Sequence, residues 1–291
     1  MALKYGFILP FTGTGTRTDT GVWGDEILAK ACISYMLKQG LYVDTYELGD
    51  FKTEEPVDVA IHMTDMVHQS MFPKIARKHI LWIQGVKTDK RDILHPGTIF
   101  EQNKGKYDKI ITLSRRLADE QKIPFVPACV DMDVFHPVEA EKVYDISFIG
   151  NMIKPQELNK RYLTPMGNYK YGLFGGDMGK ISHERALEVI AQSRINLHFG
   201  FRETIDWDMA LGRPIQISAC GGFTLMDTVP YFIELYGSSM RYTEGGADEV
   251  EAIAAILADK ALQEKADLAR VITKNNLSND VVGKKLMEAI V

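Results

Sequence analysis

Short apolar runs alternate along the chain with stretches in which apolar residues recur at helical spacing. Lys4–Pro10 is an apolar run that predicts a buried strand, Ile27–Gln39 has the helical pattern, and Leu41–Leu48 returns to an extended one. Gly40 lies between the last two and predicts the end of the helix. The order strand, helix, strand is typical of the opening of a doubly wound parallel sheet.

The same alternation occurs in two series, which predicts two α/β lobes. The strands predicted for the first series are Val57–Met63, Ile80–Ile83 and Tyr107–Leu113, and those for the second are Tyr144–Ile149, Tyr169–Phe174 and Arg194–Phe199. The main predicted helices begin or lie at Ser114–Lys122, Ser182–Gln192, Asp248–Ala258, Lys260–Lys274 and Ser278–Ile290. Between the series lies Pro137, which cannot continue a helix, and we place the lobe boundary there.

One stretch, Gly212–Asp227, combines features of an anion site. It predicts a small-residue helix over Pro214–Cys220, followed by a Gly-Gly break and an apolar strand. A helix N-terminus presents unpaired N–H groups and partial positive charge, and Arg213 adjoins it. A diphosphate would suit this end, although an ordinary buried helix of an α/β domain has the same pattern.

Composition places the chain among globular proteins and bears on its main partner. Its 291 residues are 45% hydrophobic and 25% charged, which suffices for two domains with a packed core each. The net charge is −5, and neither half is basic, which argues against nucleic acid or an anionic membrane as the main partner. Three dispersed cysteines, no membrane-length apolar run and no signal-peptide pattern predict a cytoplasmic protein without structural zinc.

Three segments resemble one family of enzymes. The run RPIQISACGGFTLMD, from Arg213 to Asp227, resembles the signature R-x-F-E-x-x-A-C-G-G-F-x-L of GT-B glycosyltransferases, namely the CgeB-like branch and the wider glycosyltransferase family 4. Val130–Pro137 resembles the family's interlobe motif G-V-D-x-x-x-F-x-P, with Cys129 in place of its glycine, and Asp145–Asn151 resembles the start of its second lobe.

The resemblance implies an α/β fold of two Rossmann-like lobes (GT-B) with a deep interlobe cleft. The acceptor-side lobe would span residues 1–137 and the nucleotide-sugar lobe residues 138–277, with the helix 278–291 packing back on the first lobe. It also implies a retaining, metal-independent glycosyltransferase that uses a nucleotide-diphosphate sugar and needs no cofactor. The sequence Asp131-Met132-Asp133 formally matches an Asp-x-Asp metal motif, but we assign it to the interlobe turn.

The resemblance also implies a set of site residues. The predicted catalytic residues are Arg213, Glu203, Asp208, His62 and Gln84. The predicted donor-binding residues are Gly21, Gly150, Asn151, Lys154, Arg161, Gly175, Gln216, Ala219, Cys220 and Gly221. Positive groups near the diphosphate are expected because the leaving group gains charge as the glycosidic bond breaks.

Three of these positions differ from the family pattern. Gln216 replaces a Glu that accepts hydrogen bonds from the donor ribose, Asn151 replaces an Arg, and Gln84 replaces a His. An amide at position 216 can still accept a hydrogen bond but carries no charge.

Several alternatives remain open from the sequence. Glu203 follows a predicted strand, whereas Asp208 stands eight residues before Gln216, so either carboxylate could contact the donor sugar, or both could be solvated loop acids. His62 ends a strand and could reach the cleft or belong to the core. An epimerase or phosphorylase of the same fold and a non-catalytic nucleotide-sugar-binding protein are alternative functions. The acceptor could be a glycan, a small molecule or a hydroxylated DNA base.

Overall fold

The computed structural model describes most of the chain. The described residues are 3–9, 24–47, 55–63, 65, 67–84, 87–88, 93–150, 169–175, 181–200, 202–245 and 247–291. They form two separate five-stranded parallel sheets, each with helices around it, so the α/β fold of two Rossmann-like lobes is confirmed. No helix among these residues is long and apolar enough to cross a membrane.

The first sheet is parallel throughout and carries the N-terminal series of strands. In chain order the strands of this half are β1 (Lys4–Leu9), β2 (Tyr42–Glu47), β3 (Val57–His62), β4 (Ala76–Ile83), β5 (Lys87–Thr88), β6 (Ile93–Leu94) and β7 (Lys109–Thr112). The sheet has the order β2-β1-β3-β4-β7, while β5 and β6 form a small antiparallel pair. Nearly every residue of β1 and β3 is buried, as expected for strands covered on both faces.

The helices of this half follow the strands in the order typical of doubly wound folds. They are α1 (Gly24–Lys38), α2 (Phe72–Ile75), α3 (Pro96–Asn103) and α4 (Arg115–Gln121). The predicted stop at Gly40 agrees with its φ of +73°, and Ser114 caps α4 by accepting a hydrogen bond from the N–H of Leu117 at 3.0 Å.

The second sheet has the order β12-β11-β10-β8-β9 and is also parallel. Its strands are β8 (Tyr144–Ile149), β9 (Tyr171–Phe174), β10 (Ser193–His198), β11 (Thr224–Asp227) and β12 (Arg241–Thr243). The helices of this half are α5 (His183–Gln192), α6 (Arg202–Asp206), α7 (Gly212–Ala219), α8 (Pro230–Tyr236), α9 (Ala247–Ala258), α10 (Leu262–Leu277) and α11 (Asn279–Ile290).

Three elements differ from the sequence predictions. The strand β4 begins at Ala76, before the predicted Ile80, because its polar residue His79 is buried against His62. The segment 200–211, expected to be a loop, contains the short helix α6. Helix α3 was not among the predicted helices. It has a Pro near its start but no side-chain cap, so the sequence carries only a weak signal for its N-terminus.

The C-terminal helix α11 contacts the first lobe along α1. The chain crosses there through two backbone hydrogen bonds, from the Val130 N–H to the Leu277 carbonyl at 3.1 Å and from the Asn279 N–H to the Val130 carbonyl at 2.8 Å. Gly283 allows α11 to approach α1 closely, because a Cβ atom at this position would lie 2.5 Å from the Cγ atom of Tyr35. The Lys78 ammonium also donates to the Ile290 carbonyl at 2.7 Å.

Replacing Gly283 by Ala tests this packing. In a free helix the change would stabilise by about 1 kcal/mol, but the clash lies near the backbone end of Tyr35, which cannot swing away. We expect a net loss of about 1–2 kcal/mol in the free energy of unfolding, measured by urea denaturation. Lys284→Ala on the exposed side of α11 is the control, and a Gly283→Ala variant as stable as the wild type would contradict the packing.

Candidate functional site

The carboxyl-terminal edge of the second sheet brings several predicted residues together. Gly150 follows β8 and Gly175 follows β9, and the Gly150 N–H donates to the Phe174 carbonyl at 3.0 Å. Gly175 has a φ of +94°, and a Cβ atom there would lie 2.6 Å from the Gly150 oxygen. The close backbone approach explains the glycine at position 175, and in parallel α/β sheets ligands bind at this edge.

Helix α7 begins at the same edge with an uncapped N-terminus. Its N-cap residue is Leu211, whose side chain has no hydrogen-bond acceptor, and the first turn holds no acidic residue. The first N–H groups of a helix lack partners within the helix, and here no side-chain cap supplies one. These groups, with the positive end of the helix dipole, favour an anionic ligand.

Arg213 lies half-buried in the first turn of α7. Its guanidinium forms no ion pair or hydrogen bond with any residue that the structure describes, and burial lowers its pKa. An arginine nevertheless stays charged, and a charge withdrawn from water without a partner is unfavourable. An anionic ligand would supply the partner that this guanidinium lacks among the described residues.

His198, the last residue of β10, is a feature of this edge that the sequence reasoning missed. It is half-buried, and burial together with the charge of Arg213 lowers its pKa from 6.5 to about 3. The ring is therefore neutral at physiological pH and can offer one donor and one acceptor. Its position at a strand end, next to a polar loop, was the only available signal in the sequence.

Gln216 lies one turn into α7 and is 4% exposed. Its Oε1 atom has no hydrogen-bond partner among the described residues. A Cβ atom on Gly212 would lie 3.6 Å from Gln216 Nε2, so this amide borders the start of the helix. A buried acceptor without a partner costs about 1–3 kcal/mol, which a ligand hydroxyl could recover.

Three predicted donor-binding residues lie at the opposite end of α7. The rise of the helix separates Ala219, Cys220 and Gly221 from Arg213 by about 10 Å. The Ala219 carbonyl accepts a hydrogen bond from Arg270 Nε at 3.2 Å, and burial raises the pKa of the Cys220 thiol to about 12. Gly221 has a φ of +72° and forms the turn next to Pro137. These residues pack the end of the helix, and their contact with the donor stays a prediction.

The structure separates the two acidic candidates. Both carboxylate oxygens of Asp208 have protein partners at 2.6 Å, Arg115 Nε and the Tyr231 N–H. The prediction that Asp208 contacts the donor sugar is therefore corrected. Glu203 is half-exposed in the first turn of α6 and makes no ion pair with the described residues, so it stays the candidate acid.

His62 belongs to the core of the first lobe. Its ring is fully buried, contacts Phe72 and Tyr107, and places Nε2 at 2.9 Å from Nδ1 of His79. Because His79 Nε2 lies 3.1 Å from the Ala76 carbonyl, it must carry a hydrogen, so the His62 Nε2–H donates to His79 Nδ1. The prediction of a catalytic His62 is corrected, since the side chain has no access to the cleft.

Of the remaining predicted residues, the structure describes Gln84 but not four others. Gln84 is half-buried after β4, and its Nε2 atom has no partner among the described residues. Gly21, Asn151, Lys154 and Arg161 lie outside the described residues. Within the ranges that are described, no group of three His, Cys, Asp or Glu side chains is arranged to hold a metal ion.

The two parallel sheets, joined by a short linker and by a C-terminal helix that returns to the first lobe, have the GT-B fold. No protein-family model and no curated protein matches the chain. Among solved structures, AviGT4, a glycosyltransferase involved in avilamycin A biosynthesis, is similar with a TM-score of 0.71 and 13% identity over 99% of this chain and 97% of that one.

Two further solved structures are similar in fold. An alpha-glucosyltransferase in complex with UDP and a mismatch-containing 13-mer DNA has a TM-score of 0.71 and 10% identity, covering 99% of this chain and 100% of that one. The BGT of T4 phage in complex with its UDP-glucose substrate has a TM-score of 0.66 and 14% identity, covering 99% of both chains. At these identities the similarity establishes the GT-B fold.

The buried histidine pair predicts a pH-dependent stability. Burial and the neighbouring His79 lower the pKa of His62 from 6.5 to about 3, so between these values the unfolded chain binds a proton that the folded protein excludes. The contribution of neutral His62 to the free energy of unfolding is fully present above pH 6.5 and is lost as the pH falls from 6.5 towards 3. From pH 7 to 5 the contribution of His62 amounts to about 2 kcal/mol.

His62→Gln keeps a hydrogen-bond donor for His79 but does not titrate. We therefore expect it to lower the slope of the unfolding free energy against pH by the equivalent of about one proton. Urea denaturation at pH 7, 6 and 5 measures it. His136→Gln, at an exposed position, is the matched control and keeps the wild-type slope. Equal slopes in the His62→Gln and wild-type proteins would contradict the burial of a neutral His62.

Proposed function

We propose that the protein is a glycosyltransferase that transfers a sugar from a nucleotide-diphosphate donor, of the UDP class, to an acceptor hydroxyl. The observation that carries this proposal is the half-buried guanidinium of Arg213, unpaired among the described residues, beside the uncapped start of α7. The fold supports it, since similar GT-B structures bind UDP or UDP-glucose.

The proposed reaction assigns a role to each group at this edge. Arg213 and the first N–H groups of α7 bind the diphosphate and stabilise the charge that it gains as its bond to the sugar breaks. Gln216 Oε1 accepts a hydrogen bond from a ribose hydroxyl, and Glu203 binds hydroxyls of the transferred sugar. The family resemblance adds Lys154 and Arg161 as further cations for the diphosphate.

The chemical step is a substitution at the anomeric carbon of the donor. The acceptor oxygen forms a bond to this carbon while the bond to the phosphate oxygen breaks, and the acceptor proton passes to the departing diphosphate. We propose attack on the same face, with retention of configuration. The cationic side chains and helix end supply the charge stabilisation that a metal ion supplies in other phosphate sites, so the proposed reaction is metal-independent.

The acceptor is expected to bind to the first lobe. Two of the similar structures modify or bind DNA, which makes a hydroxylated base one candidate. A net charge of −5 disfavours a polyanion, so we propose a glycan or a small hydroxylated molecule instead. Incubation with UDP-glucose and each acceptor class tests this directly by mass change of the acceptor.

The same assay separates the alternative functions. Without an acceptor, a transferase hydrolyses the donor slowly, whereas an epimerase converts it to the epimeric sugar nucleotide. Tight UDP binding without turnover of any donor would instead indicate a non-catalytic binding protein. Failure to bind any nucleoside diphosphate would contradict the proposal as a whole.

The first prediction for this site concerns the diphosphate contact. We expect Arg213→Gln to weaken UDP binding roughly 10- to 100-fold, as lost charge-assisted hydrogen bonds do. Binding of uridine, which has no phosphate, should be unchanged. Isothermal titration calorimetry measures both, with Arg77→Gln on the exposed surface of the first lobe as control. An equal loss for UDP and uridine would refute the diphosphate contact.

A second prediction uses the buried amide of Gln216. We expect Gln216→Met, which has a similar volume but no unpaired acceptor, to leave the free energy of unfolding unchanged or raised. The same variant should bind UDP roughly five- to tenfold more weakly, because the ribose hydroxyl loses its partner.

Ser218→Ala on the same helix is the matched control. The Ser218 hydroxyl donates to the Pro214 carbonyl at 3.0 Å, so its loss should lower stability by about 1 kcal/mol and leave UDP affinity as it is. Calorimetry and urea denaturation of both variants measure the two quantities. A Gln216→Met protein that is destabilised but binds UDP normally would assign Gln216 to packing.

A further inference from the structure

The segment that leads into α7 lies against the first lobe, although it belongs to the second. Its Ala210 N–H donates to the Leu113 carbonyl at 3.0 Å, and its Ala210 carbonyl accepts from the Ala128 N–H at 3.1 Å. The Arg115 N–H donates to the Asp208 carbonyl at 3.1 Å. Leu211, which directly follows Ala210, is the N-cap of α7, so first-lobe residues hold the backbone immediately before the proposed diphosphate site.

An ion pair secures this segment. Arg115 Nε and Asp208 Oδ2 are 2.6 Å apart, and their side chains are 27% and 11% exposed. The second carboxylate oxygen of Asp208 accepts a hydrogen bond at 2.6 Å from the N–H of Tyr231, which lies at the start of α8. Arg115 also pairs with Glu234 and lies 5.6 Å from the centre of the Tyr231 ring. One carboxylate therefore links α4 of the first lobe with α8 of the second.

The backbone of Asp208 is held in an unfavourable conformation. Its φ is +47°, in the left-handed region, which costs a non-glycine residue about 1–2 kcal/mol. Such conformations persist where surrounding contacts over-determine them, and they concentrate at functional segments. Here the contacts are the ion pair and the Tyr231 N–H, and the turn that they enforce directs the chain into α7.

We propose that Arg115 and Asp208 are positioning residues that fix the N-terminus of α7 for the donor diphosphate. Neither residue needs to contact the ligand. The ion pair with Arg115 fixes the position of Asp208 and thereby the turn at this residue. The turn then sets the direction of the N–H groups of Gly212 and Arg213. The proposal rests on the proposed function for its ligand, but the positioning itself is measurable without any ligand.

Two variants test the pair by different routes. Arg115→Met removes the guanidinium and keeps most of the side-chain volume. Asp208→Asn removes the charge but keeps an acceptor for the Tyr231 N–H, and asparagine tolerates a positive φ. We expect both to raise hydrogen exchange at the backbone amides of residues 209–213 and to weaken UDP binding roughly five- to twentyfold, with uridine affinity changed less. Arg115→Lys should restore part of each effect.

Arg77→Met is the control, since Arg77 is exposed and, within the part of the chain that the structure describes, pairs with Asp58 of the first lobe at 3.6 Å. It should leave exchange at residues 209–213 and UDP affinity at wild-type values. If Arg115→Met and Asp208→Asn leave exchange at these amides unchanged, the positioning role is overturned. It is also overturned if exchange rises but UDP affinity stays constant.

The outcomes distinguish this inference from the proposed function. If the wild-type protein binds no UDP, the proposed function fails, whereas faster exchange in both variants still supports the positioning of α7 by Arg115 and Asp208. A loss of stability that is equal in Arg115→Met and Asp208→Asn, without a local change in exchange, would assign the pair to general stability and overturn the inference.

Discussion

The uncapped positive end of helix α7, with the half-buried Arg213 beside it, is the feature on which the account of the second lobe depends. Among the described residues, the half-buried guanidinium of Arg213 and the Gln216 Oε1 atom have no hydrogen-bond partner, and the first N–H groups of α7 have no side-chain cap. A diphosphate nucleoside would satisfy all three at once, which is why this edge, and not another surface, defines the proposed function.

The rest of the fold places and supports this end. Parallel strands bring Gly150, Gly175 and His198 to the edge where α7 begins, and a close backbone contact makes glycine necessary at position 175. The first lobe contributes through its contacts with the segment 207–211. Both lobes therefore contribute to the proposed site. The groups proposed to contact the ligand, Arg213, Gln216 and Glu203, belong to the second lobe.

Local patterns were sufficient to predict much of the architecture. Apolar runs predicted most strands, Ser114 and Ser182 predicted helix starts, and Gly40 predicted a helix end, because each signal depends on neighbouring residues alone. The helix after Gly212 was predicted within two residues of its bounds. These features follow from backbone hydrogen bonding and burial, which a linear pattern records.

Side-chain partners across the lobes could not be predicted in the same way. Asp208 had the spacing of a sugar-binding acid, yet Arg115, 93 residues away, occupies its carboxylate. His62 ends a strand as a catalytic histidine would, but His79 and an aromatic cluster enclose it. Nothing in the sequence distinguishes Arg115 from its neighbour Arg116, because only the fold decides which of them faces Asp208.

A crystal structure with bound UDP tests the central claim most directly. We expect diphosphate oxygens about 2.7–3.2 Å from the Arg213 guanidinium and from the first backbone N–H groups of α7. The ribose should then lie within hydrogen-bond distance of Gln216 Oε1. A UDP molecule bound elsewhere, or a site in which the protein's own carboxylate occupies Arg213 while UDP is present in excess, would contradict it.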